Sequence, residues 1–213
     1  MREFAVFSCC QFTLKGMNCI SKNDESLRCS LSTNNISIFI SSLYSGVQIN
    51  DVIINIQSCS VGVLRLISSC IRSSSLKRII VMVDNSHAPT LRLLCALGVR
   101  FILCKFDSLD NICEVLKKTT LKKYMSSYLK SVFVKYPPPP RWAKEGGEVN
   151  DEELFTKRES DIILDLFQGI SPWNVAKKRF ISIKTVSAHK LNALKKIRMR
   201  NLNEMFITTS KKI

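Results

Sequence analysis

Apolar positions in the first part of the chain come in short, unbroken runs. Phe4-Ala5-Val6-Phe7, Val52-Ile53-Ile54-Asn55-Ile56, Arg78-Ile79-Ile80-Val81-Met82-Val83 and Arg100-Phe101-Ile102-Leu103-Cys104 are rich in β-branched residues. Such runs are apolar on both faces, as strands covered by helices on two sides must be. Between and after them, Leu91 to Leu97 and Ile112 to Leu129 repeat their apolar residues at helical spacing. This alternation predicts βαβ units and a parallel sheet with helices over it. The Ser- and Asn-rich stretch from Ser21 to Ser45 has no clear period, and the pattern assigns it no elements.

Four consecutive prolines, Pro137 to Pro140, break the pattern, and Arg141-Trp142 and Glu145-Gly146-Gly147-Glu148 follow. Such a run cannot continue a helix or enter a central strand, and it favours an extended spacer. The expected organisation is therefore a domain over 1–134, a Pro-rich linker over 135–150 and a second domain over 151–213.

The second domain reads as short helices with explicit start and stop signals. Thr156 and Glu159 have the Thr-x-x-Glu spacing of a capping box. Ile163, Leu166, Phe167 and Ile170 then share one face, and Gly169 ends the helix. Ser171-Pro172 starts the next helix, with Val175 and Ala176 turned inward and Lys177, Lys178 and Arg179 at its end. Ser182 caps a third helix, in which Val186, His189, Ala193 and Ile197 recur at three- or four-residue spacing and face the core.

Composition narrows the class. The chain has 213 residues, enough for two modest domains, and a 46% hydrophobic fraction, enough for packed cores. Its formal net charge of +15 suits a polyanionic partner. No apolar run approaches a membrane span, and the first residues lack a signal-peptide layout, so a cytoplasmic protein is expected. All nine cysteines lie before residue 114, with Cys9-Cys10 adjacent and no CxxC pair. With only two histidines beside them, no metal site and no cofactor are expected, and the thiols read as reduced and mostly buried.

The stretch from Phe155-Thr156-Lys157-Arg158-Glu159 through Gly169 and Val175-Ala176 to Ile181-Ser182-Ile183-Lys184-Thr185-Val186-Ser187-Ala188-His189-Lys190-Leu191-Asn192 resembles the DNA-binding domain of LuxR/FixJ (NarL)-type transcription regulators. Within it, Ser182 to Ser187 is similar to the Rcs-type capsule-synthesis regulators, whose auxiliary members have degenerate receivers. The resemblance implies a four-helix, all-α helix-turn-helix domain behind a doubly wound α/β receiver-like domain. It also implies that the third helix enters the major groove of double-stranded DNA. Its outward residues are then Lys184, Thr185, Ser187, Ala188, Lys190, Leu191 and Asn192. Lys can bond guanine, Ser and Thr can bond bases or phosphates, and Ala and Leu can touch a thymine methyl. Lys195, with Lys196, Arg198 and Arg200, is placed to hold phosphates. Asp165 departs from the resemblance, which has an apolar residue there, as do Phe167 and Leu191.

The strand order before the linker is similar to a receiver domain, but the acid chemistry of receivers is missing. Where such domains carry a magnesium-binding acidic pair after the first strand, this chain has Phe7-Ser8-Cys9-Cys10-Gln11. The third strand begins at Asp51 and ends Asn55-Ile56-Gln57, without the phosphorylated aspartate; the hydroxyl switch position falls near Met82-Val83, and Lys105 alone matches. Magnesium needs hard oxygen ligands and phosphoryl transfer needs a carboxylate nucleophile. The reading is a pseudo-receiver not phosphorylated by the usual route.

Lys117-Lys118, Leu121, Lys122-Lys123, Tyr124, Tyr128 and Leu129 form either an amphipathic pairing surface or a solvated helix face. The expected function is a DNA-binding regulator, as a homodimer or a heterodimer with a response regulator. The alternative is an interaction protein that sequesters such a regulator and binds little DNA itself. No Cys-His constellation supports an enzyme.

Overall fold

The computed structural model describes residues 1–45, 48–57, 60–73, 78–84, 87–135 and 154–205, with side chains of 132–135 excluded. Of the expected Pro-rich linker, 135–150, only residue 135 is among them. Contacts divide the chain into Met1–Ser86 with Val99–Val132, and His87–Gly98 with Phe133–Ile213.

The first unit is built on β1 (Arg2–Phe7), β2 (Leu27–Thr33), β3 (Asp51–Ile56), β4 (Arg78–Val83), β5 (Phe101–Cys104) and β6 (Tyr124–Met125). The strands form one sheet in the order β2-β1-β3-β4-β5-β6, and every pairing is parallel. The run of β-branched residues in β3 explains its central place: all six of its residues are buried. Helices α1 (Gln11–Asn23), α2 (Ile36–Leu43), α3 (Val61–Arg72), α4 (Ala88–Leu97), α5 (Leu109–Lys117) and α6 (Ser127–Lys135) follow the strands in turn. On one face, Leu14, Met17 and Ile20 of α1 and Ile112, Val115 and Leu116 of α5 pack on Phe4, Val6, Ile53, Ile80 and Leu103. On the other, Phe39 of α2 meets Phe7 with ring centroids 5.5 Å apart. Each such side chain contributes on the order of 1.5–3 kcal/mol by leaving water. Helix α4 lies between β4 and β5 in sequence, within the expected first domain, yet its contacts group it with the second unit.

The region that gave no pattern, Ser21 to Ser45, contains β2 and α2. Strand β2 is an edge strand with only Leu27 buried, so it lacks the apolar run that marks its neighbours. Its pairing with β1 slips between Phe4 and Ala5. Asn35 caps α2, accepting from the amides of Ser37 and Ile38.

The expected helical stretch from Ile112 to Leu129 is corrected. Helix α5 stops at Lys117, the chain crosses to pair β6 beside β5, and α6 begins at Ser127. Arg78 holds this crossing in place: its guanidinium donates to the carbonyls of Leu116 (3.0 Å) and Lys118 (2.9 Å). Arg78 also shares the fully buried carboxylate of Asp51 with Arg2, at 2.6 Å from Arg78 Nε and 3.0 Å from Arg2 Nη2. The lysines and tyrosines from Lys117 to Tyr128 therefore lie on a helix end, a loop, a strand and a second helix, not on one amphipathic face.

The second unit carries α7 (Lys157–Phe167), α8 (Pro172–Arg179), α9 (Ile183–Lys196) and, last among the described residues, a 3-10 turn at Leu202–Met205. Its core joins Ile162, Val175, Ala176 and Val186, flanked by Leu166, Ile170 and Ile181. Ile162, outside the expected stripe, contributes because α7 is buried over much more than one stripe: Ile162, Ile163, Leu164, Asp165 and Phe167 are all buried.

Candidate nucleic-acid interface

The local signals of the three helices form as the sequence dictates. Thr156 Oγ1 accepts from the Glu159 amide at 3.2 Å, and Glu159 Oε2 accepts from the Thr156 amide at 2.8 Å, completing the capping box of α7. Helix α7 closes at Gln168, and Gly169 takes φ 81°, the left-handed turn a glycine allows. Ser171 caps α8 through the Asn174 amide at 3.2 Å, with Pro172 in the first turn. Ser182 caps α9 through the Thr185 amide at 3.0 Å.

The turn between α8 and α9 contains Phe180 at φ 53° and ψ 46°, a left-handed conformation that L side chains adopt at a cost. Its ring is 95% exposed. With Trp173, Ala176, Lys177, Ile181, Ser182 and Ile183 it lines a shallow depression of about 700 Å³. Lys177 Nζ stands 5.5 Å from the centre of the exposed Trp173 ring.

Asp165, the departure noted in the sequence, is the centre of a buried ionic cluster. Its side chain is 0% exposed. Lys178 Nζ donates to Oδ1 at 3.0 Å, and Arg179 Nε and Nη2 reach Oδ2 at 2.7 and 2.6 Å. Arg179 also donates to the Asp161 carboxylate (3.3 Å) and carbonyl (3.2 Å). An acid in the apolar phase of α7 is thus satisfied by cations at the end of α8. The cluster fixes α8 on α7 just ahead of the turn that launches α9, and it engages Lys178 and Arg179, two of the three basic residues there.

Helix α9 presents the expected outer surface. Lys184, Ser187, Ala188, Leu191, Asn192 and Lys195 are exposed, and Thr185 and Lys190 are half-buried. Val186, Ala193, Leu194 and Ile197 are buried beneath them. His189, expected to face the core, is only half-buried, one helical step off the buried row. Thr185 Oγ1 is 2.8 Å from Ser182 Oγ. Among the described residues, Lys184, Lys190 and Lys195 have no ion pair, so their charges face outward.

Lys196 does not belong to that set. Its Nζ donates to Glu159 Oε2 and to the Leu154 carbonyl, both at 2.8 Å, tying the end of α9 to the start of α7. Burial pushes the Glu159 carboxyl up, but the bonds from Lys196 and Thr156 outweigh it and hold the group below the ordinary value. The expectation that Lys196 holds a phosphate is corrected on this ground: its charge is already used inside the domain.

In the first unit, the carboxyl ends of the strands carry Ser8, Cys9 and Cys10 after β1, Asn55 in β3, Asp84 after β4 and Lys105 after β5. Asn55 Nδ2 donates to Ser8 Oγ (3.0 Å) and Thr13 Oγ1 (3.2 Å). An acid that sequence comparison passed over is present here: Asp84 Oδ2 lies 3.9 Å from Lys105 Nζ. It stands at the end of β4, in neither of the acid positions of a receiver.

These features converge with comparisons to known proteins. Residues 153–208 match the bacterial regulatory proteins of the luxR family. The matched luxR-family domain spans α7, α8, α9 and the 3-10 turn. Solved structures share the fold along the chain. A structure of two RcsB dimers bound to two parallel DNAs has TM-score 0.56 and 18% identity, covering 96% of this chain and 95% of that one. RcsB from Salmonella enterica serovar Typhimurium bound to the promoter P1flhDC has TM-score 0.57 and 18% identity, covering 96% and 95%. Salmonella typhimurium RcsB in a study of conformational dynamism for DNA interaction has TM-score 0.53 and 18% identity, covering 96% and 97%. No curated protein is significantly similar in sequence. The family match thus covers the last described helices of the chain, and the likeness to the solved structures extends the shared fold over the α/β unit before them.

Proposed function

We propose that this chain is a DNA-binding transcription regulator that inserts α9 into the major groove. The observation that carries the reading is the outer face of α9, where Lys184, Lys190 and Lys195 stand free of ion pairs among the described residues, above a buried row that fixes the helix. Lys184, Thr185, Ser187, Ala188, Lys190, Leu191 and Asn192 contact base edges or neighbouring phosphates, and Lys195 holds a phosphate. The net charge of +15 supports a polyanionic partner, and binding weakens steeply with salt. The regulator acts as a dimer, either with itself or with a response regulator, on half-sites about one helical turn apart.

Its output is not switched by aspartyl phosphorylation. Ser8, Cys9, Cys10 and Asn55 at the ends of β1 and β3 offer no carboxylate nucleophile. Incubation with a small phosphodonor and magnesium leaves the protein unmodified; a stable phosphoryl group on it contradicts this.

The test of the main reading is capture of fragmented genomic DNA by the full-length protein at near-physiological salt, followed by sequencing. A recurrent two-part motif supports a self-sufficient dimeric regulator. Absence of any motif, together with a stable mixed dimer with a response regulator, overturns it in favour of sequestration.

A further inference from the structure

The sheet reverses its winding direction between β1 and β3, since its order runs β2-β1-β3-β4. In open parallel sheets the crevice outside the carboxyl ends at such a reversal is where ligands enter. Near the carboxyl end of β3, beside this reversal, is Asn55, which is 4% exposed. Its Nδ2 is used by Ser8 and Thr13, but its Oδ1 is buried with no partner. Turning the amide over would satisfy the oxygen and orphan the nitrogen, so one polar atom is left for a group from outside in either orientation.

Cys10 is linked to Asn55 through Ser8. Its amide donates to Ser8 Oγ at 3.0 Å, the same oxygen that Asn55 uses. It occupies the N-cap of α1, a thirteen-residue helix whose first turn no side chain caps. The Thr13 amide, then the Thr13 hydroxyl, favour the thiolate, and Cys10 is held below the ordinary thiol value, with burial and the nearby charge of Asp84 opposing. Lys105, paired with Asp84, also stands at this edge. Other cysteines differ: burial pushes Cys29 and Cys70 up to about 11 and raises Cys104 and Cys113. Cys9, which precedes the cap residue, and Cys19, later in α1, are more exposed than Cys10.

We propose that this crevice is a thiol-modification site, in which Cys10 takes up a low-molecular-weight disulfide and Asn55 receives a donor from the attached group. The Cys10 thiolate attacks one sulfur of the disulfide. A bond forms between Cys10 Sγ and that sulfur while the original S–S bond breaks. The electron pair leaves on the second sulfur, which takes a proton from solvent. Cys10 is oxidised to a mixed disulfide, and half of the reagent is reduced to a thiol. A helix N-terminus supplies amides that favour the thiolate, and the half-exposed position admits the reagent.

The experiment is a competition within the full-length native chain. The protein is exposed to limiting oxidised glutathione near neutral pH, quenched with acid, digested and mapped by mass spectrometry. Cys10 carries the adduct first, at roughly ten times the rate of Cys9 and Cys19. Equal or faster modification of those two more exposed thiols overturns the proposal. Thr13→Pro removes both the amide and the hydroxyl in the first helical turn, where proline is tolerated, and brings Cys10 down to the rate of Cys19. An unchanged Cys10 rate in the folded variant also overturns it. Should that variant not fold, the competition in the native chain decides alone.

Discussion

The buried cluster around Asp165 makes an asymmetric prediction about stability. Asp165→Leu removes a fully buried carboxylate and leaves its two cations. Lys178 is 51% exposed and can turn to water, and Arg179 keeps its bonds to Asp161. The cost is therefore modest, about 1–2 kcal/mol. Arg179→Leu is the harsher change, because it takes the Nε and Nη2 donors from a carboxylate that is 0% exposed. Taking the guanidinium from a buried carboxylate costs roughly 3–5 kcal/mol, a large part of the ~5–15 kcal/mol that holds a typical domain together. Joining both substitutions replaces the ion pair by two packed leucines and comes within about 1 kcal/mol of the parent, because apolar replacement of a buried pair is often neutral. The coupling energy of the cycle is then at least about 3 kcal/mol, and about 5 kcal/mol at the middle of these ranges. Urea unfolding of the full-length chain, read through Trp173 fluorescence in a Trp142→Phe background, measures all four corners. The reasoning is refuted if Arg179→Leu costs no more than Asp165→Leu, or if the single effects simply add in the double variant.

Other outcomes separate the roles of neighbouring lysines. Lys184→Ala or Lys190→Ala weakens binding to a specific site by roughly 1–3 kcal/mol, about 5–150-fold in Kd, with unchanged unfolding, as gel shift and urea titration would show. Lys195→Ala lowers affinity for all sequences and reduces the salt slope by about one, whereas Lys196→Ala destabilises the fold by about 1–3 kcal/mol by depriving Glu159, 4% exposed, of its cation. Because the folded Glu159 carboxyl lies below its ordinary value, its stabilising contribution is present above the unfolded value and is lost as pH falls through the folded one. The gap between parent and Lys196→Ala therefore narrows on acidification, which unfolding curves at several pH values would reveal. In the first unit, bonds from Lys117 and Ser26 hold the Asp24 carboxyl down at about 2, so carboxyl titration by NMR finds it ionised well below its neighbours, and Lys117→Met returns it toward the ordinary value.

What could be read from the sequence was what is local. The β-branched runs of β3 and β4, the Thr156–Glu159 box and the caps Ser171 and Ser182 are each set by residues within a few positions of one another, and all formed where their spacing placed them. The outer face of α9 came from the family resemblance together with the helical period, which misplaced the half-buried His189. Strand β2 and the two-residue β6 escaped because an edge strand need not be apolar and so short a strand has no period. The ionic partners escaped for a different reason. Asp165 and Arg179 lie 14 residues apart, and Glu159 and Lys196 lie 37 apart, so only packing brings them together. One signal was available in advance: an acid in the apolar phase of α7 calls for a cation on whatever packs against it, and the end of α8 supplied three candidates.

The short strand β6 has a consequence for how copies of this chain can aggregate. It caps the β5 side of the sheet with backbone partners at Phe101 and Ile102, leaving little free ladder there. The opposite border, β2, is long enough to recruit a foreign strand, but Arg28 and Ser30 engage Glu3 across it and the slip at Phe4/Ala5 bends its line. Charge and curvature of this kind deter edge-to-edge growth. Both borders of this apolar β-core are therefore poor templates for runaway stacking through the sheet.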